Sequence, residues 1–470
     1  RNDPGQVTAV WIHPVVETTT LVPRRTRGYG KNILLLVVDA LRADHLSGYG
    51  YERPTTPHLD AHAREGVRFT NALAQSSWTI PSTATLLTGQ YSYTHGLYDA
   101  YHWFLVPGIQ TITQSFLQAG VRTAAFVANK LISEDTNFAT GFELFHEVPF
   151  STAAQLNASF LNWLDGYGDE PFFAYVHYME PHMPYAAPGA GFHRFGAQQE
   201  SGEMPDPERS EALLNRIESR LASAGSPRAP EKIMTEQEKQ MLQLLIDLYD
   251  SEISYWDERF GLLMDALKAR GLFEDTIIVI TSDHGEEFLD HGMFRHGQGL
   301  HDELLHVPLV ILNAPQAAET RDEMVGLIDV APTLLALSRI PVPEQSGNEQ
   351  ESPDPMGLDL FSDHEPHRIL FAETAHGLRR IDSSMHVERA AFSEKWKGIL
   401  TMDDNSLALF DRVEDPAERR DLSSEESEVR DEFMKLIREW VERSRAAAPY
   451  NISVFDASAL DKLREMGYIK

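Results

Sequence analysis

Lys31-Asn-Ile-Leu-Leu-Leu-Val-Val-Asp39 is an unbroken apolar block that ends in a carboxylate. A strand with one face in water alternates apolar and polar residues. A strand without that alternation is covered on both faces, as in parallel sheets flanked by helices. The block is far shorter than the ~20 apolar residues a membrane helix needs. Its aspartate sits at the strand's carboxyl end, where open α/β sheets place their ligands. One segment thus points to both a sheet architecture and the edge at which chemistry is expected.

The rest of the chain repeats the theme. Apolar β-branched runs at 123–127, 172–177, 277–281 and 307–312 read as further strands, and 56–65 and 82–87 as helices between them. Such alternation predicts an α/β fold with a large, mixed but mostly parallel central sheet flanked by helices. Residues 1–31 read as an N-terminal arm and 32–342 as the main domain. Within it, 196–236 is rich in Glu, Ser, Pro and Arg and reads as a mobile insertion, followed by a long amphipathic helix over 236–270. The polar stretch 343–356 reads as a linker. A C-terminal subdomain, 357–470, is expected to hold a small antiparallel sheet over 368–409 and an acidic helix over 423–446.

Composition narrows the function classes. Forty-one Lys and Arg against 71 Asp and Glu give a net charge of −30, which argues against sequence-independent nucleic-acid binding. Anionic substrates remain accessible, because a bound cation inverts the local field. The absence of cysteine excludes disulfides, zinc–thiolate sites and cysteine nucleophiles. No apolar run is long enough to span a membrane. The chain starts at Arg1 rather than Met, as expected of a product from which a signal or anchor was removed, and we expect an extracytoplasmic location. The oligomeric state is not encoded legibly.

Four segments could carry chemistry. Asp39 and Asp44 lie in Val-Asp39-Ala-Leu-Arg-Ala-Asp44-His; taken alone, an aspartate after a strand is equally well a helix N-cap. Ser77-Trp-Thr79-Ile-Pro-Ser82-Thr83 opens a helix whose first-turn amides form a ready anion site. Ser282-Asp283-His284-Gly-Glu286-Glu-Phe-Leu-Asp290-His291-Gly, followed by Arg295-His296-Gly, places oxygen and nitrogen donors at a strand's end, half of a divalent metal site. His177-Tyr-Met-Glu-Pro-His182-Met-Pro, after another strand, suggests a positioned imidazole.

Together these strings resemble the sulfatase family of the alkaline phosphatase superfamily. Leu289-Asp-His-Gly292, Asp302-Glu-Leu-Leu-His-Val-Pro-Leu309, Asp329-Val-Ala-Pro-Thr-Leu-Leu335, Ala408 to Glu418 and the closing Leu463 to Ile469 extend the likeness. The resemblance implies the family's sandwich fold, a metal at the sheet's carboxyl edge and a sulfate or phosphate ester substrate. It implies Asp39, Thr79, Asp283 and His284 as ligands of one divalent metal, with Thr79 at the nucleophile position. His182 and His296 would contact substrate oxygens or protonate the leaving group. Asn129 and Lys130 fall near a family lysine–histidine motif only loosely and are set aside.

Three departures follow. The family's nucleophile is a Cys or Ser oxidised to formylglycine, whereas Thr79 carries a β-methyl group and cannot yield that aldehyde. Thr83 replaces the arginine four residues on, and Ala40 replaces a second aspartate. The remaining set is similar to phosphoethanolamine transferases and to threonine-nucleophile phosphodiesterases. The latter's second-metal Asp-x-x-x-His spacing occurs at 302/306, 363/367 and 382/386, none between Thr79 and Asp283.

Coordination to a divalent cation would make a hydroxyl a competent nucleophile near neutral pH. One nitrogen and three oxygens suit zinc or manganese better than calcium or magnesium. We therefore expect a metal-dependent hydrolase of phosphate or sulfate esters acting on a small-molecule, lipid or glycan ester. The alternatives are a phospho-alcohol transferase acting on lipid or glycan, and a catalytically silent binding protein.

Overall fold

The computed structural model describes residues 31–97, 104–105, 108–167, 170–185, 194–195, 217, 220, 234–342, 357–362, 368–375 and 387–447. Almost all of the arm, most of the insertion, the linker, the segment 98–103 and the closing 463–469 string lie outside them. Among the described residues fourteen strands run β1 (Asn32–Val38), β2 (Val67–Leu73), β3 (Arg122–Val127), β4 (Leu144–Glu147), β5 (Phe172–Tyr178), β6 (Thr276–Thr281), β7 (Glu287–Phe288), β8 (Phe294–Arg295), β9 (His306–Leu312), β10 (Glu319–Gly326), β11 (Leu370–Thr374), β12 (Glu388–Phe392), β13 (Trp396–Thr401) and β14 (Ser406–Asp411).

Eight of them form one sheet in the order β10-β2-β9-β6-β1-β5-β3-β4. The β1 block is central and wholly buried. Its odd residues Ile33, Leu35 and Val37 enter one core, and Leu34, Leu36 and Val38 the other. Each apolar side chain so buried contributes about 1.5–3 kcal/mol. Two antiparallel pairings, β6 with β9 and β9 with β2, make the sheet mixed. The sequence patterns missed β2, β4 and β10, because β2 and β10 are part polar and sit near the edge, where one-sided exposure dilutes the apolar signal.

β1 pairs in parallel with β5 on one side and β6 on the other, with Val37 opposite both His177 and Thr281. Carried two residues on, that register sets Asp39 beside Asp283. The turn after β1 is held by Tyr249, whose hydroxyl donates to the Ala40 carbonyl at 2.7 Å and accepts from the Arg42 amide at 2.9 Å. Ala40 itself adopts a φ of 59°, a strained conformation for a residue with a Cβ and one found preferentially at functional sites. Tyr249 belongs to the 34-residue helix Glu236–Ala269, which starts with a Thr235–Glu238 capping box.

β11 to β14 form the expected antiparallel meander. The helix Ser427–Ala447 covers it, and Trp440 stacks on Phe371 with ring centroids 4.9 Å apart. Gly398 in β13 allows this close packing, since a Cβ there would fall 2.9 Å from Phe433. A buried ion pair clamps the small sheet to the large domain: Lys397 Nζ lies 2.7 Å from Asp302, and 2.5 Å from Glu418 on its own side of the junction. The Thr374 hydroxyl donates to the Gly297 carbonyl next to His296. Among the described residues no helix is long and apolar enough to cross a membrane.

Candidate metal and nucleophile centre

Three carboxyl-end loops and one helix start converge above β1. The helix Thr79–Thr88 begins three residues earlier than its apolar pattern predicts and is buried along its whole length. Ser82 ties it to the metal-type loop by donating to the Asp283 carbonyl at 2.5 Å. Thr79 Oγ1 lies 3.2 Å from His284 Nε2. That nitrogen is 3.6 Å from Asp39 Oδ1 and 3.5 Å from Asp283 Oδ2. Because His284 Nδ1 donates to the Gly285 carbonyl at 2.8 Å, Nε2 keeps its lone pair toward the cluster.

The residues fit a bound cation. Asp39 Oδ1 and Asp283 Oδ2 are buried and accept no hydrogen bond, although the other oxygen of each carboxylate does. Those two oxygens and His284 Nε2 lie within 4.8 Å of one another. A buried, unsatisfied carboxylate oxygen is costly unless a cation completes it. Burial alone would raise Asp39, but His182 and the hydrogen bond from His177 outweigh it and hold the carboxyl well below the usual range. Asp283 moves the other way, pushed up by burial and by Asp39. Burial opposes charging of His284, yet Asp283 and Asp39 raise it. The upward shifts of Asp283 and His284 express the crowding of two carboxylates where the ligand atoms meet, whereas the downward shift of Asp39 expresses the imidazoles around it.

The two further histidines flank this point. The His296 ring centroid is 4.3 Å from that of His284 and 5.0 Å from that of His182. His296 Nδ1 donates to Glu286 at 3.0 Å, and His182 Nδ1 to the Met183 carbonyl at 2.6 Å. Glu286 is fully buried, which raises its carboxyl, and takes a second hydrogen bond from Tyr185. All six residues singled out by sequence, Asp39, Thr79, His182, Asp283, His284 and His296, therefore share one neighbourhood.

Other sequence candidates go elsewhere. Asp44 pairs with Arg42, whose guanidinium also holds Asp290 and the Glu286 carbonyl. His291 does not extend the metal loop; it stacks on His301 at 3.5 Å and bonds Glu303. With Glu418 these histidines form a second cluster of metal-ligand type, but Lys397 already supplies its cation. Asp302 and His306 share no site, since His306 bonds the Thr70 carbonyl. Asn129, loosely matched on sequence, reaches the centre: its side-chain amide donates to Asp39 at 2.5 Å. His177, quoted but given no role, donates to the same oxygen at 3.1 Å. The only sequence sign of either was its position just past β3 or at the end of β5.

A sulfatase family model matches residues 31–340. The chain belongs to the sulfatase family. It is 26% identical over 336 residues to human N-sulphoglucosamine sulphohydrolase, a match covering 67% of this chain and 62% of that relative's length. It is also 26% identical over 380 residues to the multifunctional alkaline phosphatase superfamily protein PehA of Trinickia caryophylli, covering 65% of this chain and 73% of that one. The phosphonate monoester hydrolase of Silicibacter pomeroyi shares the fold of this sulfatase-family chain at a TM-score of 0.69 and 19% identity, over 88% of this chain and 96% of its own. Membership supplies the general expectation of a divalent metal at the centre just described.

Proposed function

We propose that this sulfatase-family chain is a metal-dependent hydrolase of phosphate or sulfate esters with Thr79 as its nucleophile. The observation that carries the reading is the approach of Thr79 Oγ1 to His284 Nε2 beside two carboxylate oxygens that accept no hydrogen bond. Asp39, Asp283 and His284 would hold the metal with Thr79. When bound, it would lower the pKa of the threonine hydroxyl and offset charge on the transferring group.

The chain's own groups account for the rest. Thr79 Oγ1, its proton released to solvent, forms a bond to phosphorus or sulfur as the ester bond to the leaving oxygen breaks. His296, oriented by Glu286, or His182 gives a proton to that oxygen. Water then forms a bond to the same atom as the bond to Thr79 Oγ1 breaks; one proton of the water restores the threonine hydroxyl, and the histidine regains its proton from solvent. At the start of Thr79–Thr88 only the Thr79 and Ile80 amides are left to favour an anion's charge, since Pro81 has no N–H and the Ser82 amide donates to the Trp78 carbonyl. Arg42 is committed to Asp44 and Asp290 and leaves substrate binding to other groups. The names of two relatives, an N-sulphoglucosamine sulphohydrolase and a phosphonate monoester hydrolase, support a sulfated sugar or a small phosphonate ester as the class of substrate.

A turnover panel on metal-reconstituted protein tests the reading: nitrophenyl sulfate, nitrophenyl phosphate, a phosphate diester and a phosphonate monoester, with Thr79→Ala beside wild type. Turnover that depends on Thr79, with acid-quenched protein carrying a phosphoryl or sulfuryl group on Thr79, is expected. Equal rates in Thr79→Ala would sink the covalent route.

A further inference from the structure

Asp39 and Asp283 each offer one oxygen to the centre and commit the other. At Asp283 the committed oxygen accepts from the Ala40 and His284 amides, at 3.3 and 3.1 Å. At Asp39 side chains do this work, and each is anchored at its far end. Asn129 Nδ2 donates to Oδ2 at 2.5 Å, while the Asn129 carbonyl oxygen accepts from the Leu131 amide at 2.8 Å. His177 Nε2 donates to the same Oδ2 at 3.1 Å, and its Nδ1 accepts from the Tyr175 hydroxyl at 2.6 Å. The tyrosine thus fixes the imidazole tautomer that donates to Asp39. Asn129 is 1% exposed and His177 and Tyr175 not at all, so a donor released by Asp39 would meet no water.

Both arms depart from what the sequence alone suggests. Ala40 removes a second carboxylate from the turn, and Asn129 and His177 keep the remaining one from turning both oxygens toward the centre. The donor set is then two single carboxylate oxygens, one imidazole nitrogen and the Thr79 hydroxyl. Four donors with a nitrogen among them match the tetrahedral preference of zinc. Calcium takes six to eight oxygens, often through bidentate carboxylates, and those are what the two hydrogen bonds withhold.

We infer that Asn129 and His177 are positioning residues that hold Asp39 to a single ligating oxygen and thereby select zinc over calcium. This rests on the metal reading above, and its test does not use turnover. Metal-free protein is titrated with zinc against a chromophoric chelator and with calcium by calorimetry. Wild type, Asn129→Ala, His177→Phe, His177→Gln and Asp39→Ala are compared, with melting curves of each metal-free form.

Wild type is expected to bind one equivalent of zinc that excess calcium does not displace. Asn129→Ala and His177→Phe each weaken zinc binding by about 10- to 100-fold and narrow the zinc-to-calcium ratio. His177→Gln, which keeps an N–H donor, stays near wild type. The inference is overturned if Asn129→Ala and His177→Phe keep wild-type zinc affinity and ratio while Asp39→Ala loses both. It is equally overturned if these variants lower the metal-free melting temperature and leave the ratio unmoved, since the residues would then be only structural. If wild type itself takes up no equivalent of either metal, the metal reading fails, and that outcome is distinct from the other two.

Discussion

Thr79 and His284 stand 205 residues apart in sequence, yet the threonine hydroxyl lies 3.2 Å from the imidazole Nε2. Their junction is rigid, because the Ser82 hydroxyl fastens the threonine's helix to the carbonyl of Asp283. Thr79→Ala should therefore lose at least about 10³-fold in kcat while the fold survives. Thr79→Ser keeps the hydroxyl and should retain most of the rate. Steady-state kinetics beside circular dichroism checks both, and comparable loss in the two variants would point to packing of the methyl group instead.

Asp39 and Asp283 are two buried carboxylates near one imidazole, so the metal-free protein carries a repulsion that metal relieves. Asp283→Asn should stabilise the metal-free form by on the order of 2 kcal/mol at neutral pH and abolish stabilisation by metal. In wild type, metal at a thousandfold its Kd should add about 4 kcal/mol. Denaturant unfolding with and without chelator reads both quantities.

Burial raises the Glu180 carboxyl to about 7. One of its oxygens accepts from the Ala153 amide, and the other accepts no hydrogen bond. The folded chain then binds this proton more tightly than the unfolded chain. The stability it contributes is complete below the unfolded value near 4.5 and is lost as pH rises through 7. Relative to Glu180→Gln, wild-type stability should fall by on the order of 3 kcal/mol between those limits. Parallel pH–stability curves for the two proteins would show that the carboxyl ionises normally.

Lys397 is fully buried between Asp302 and Glu418. Burial lifts Glu418 to about 7, whereas Asp302 is held below its usual range, Lys397 outweighing burial there. Lys397→Met should cost about 3–5 kcal/mol, because it strands two buried acids. Adding Glu418→Gln should recover part of that loss. Urea unfolding of the single and double variants is the check, and a cost below about 1 kcal/mol would show that the clamp is not what holds the small sheet.

The sequence by itself determined the sheet's central strands and pointed to the residues proposed for the site, because both are local signals. β1 is apolar at every position, and Asp39, Asp283 and His284 follow directly on strands whose ends a parallel sheet must align. Thr79 was legible through its helix-start motif. Tertiary structure alone decided that Asp44 leaves the centre for Arg42 and that His291 leaves it for Glu303. It likewise decided that Asn129 and His177 grip one oxygen of Asp39. Those contacts join residues 90 and 138 positions apart, and which carboxylate a buried donor finds is set by strand register and loop path rather than by neighbouring residues. Patterns of burial are written residue by residue, whereas hydrogen-bond partners exist only once the strands have aligned.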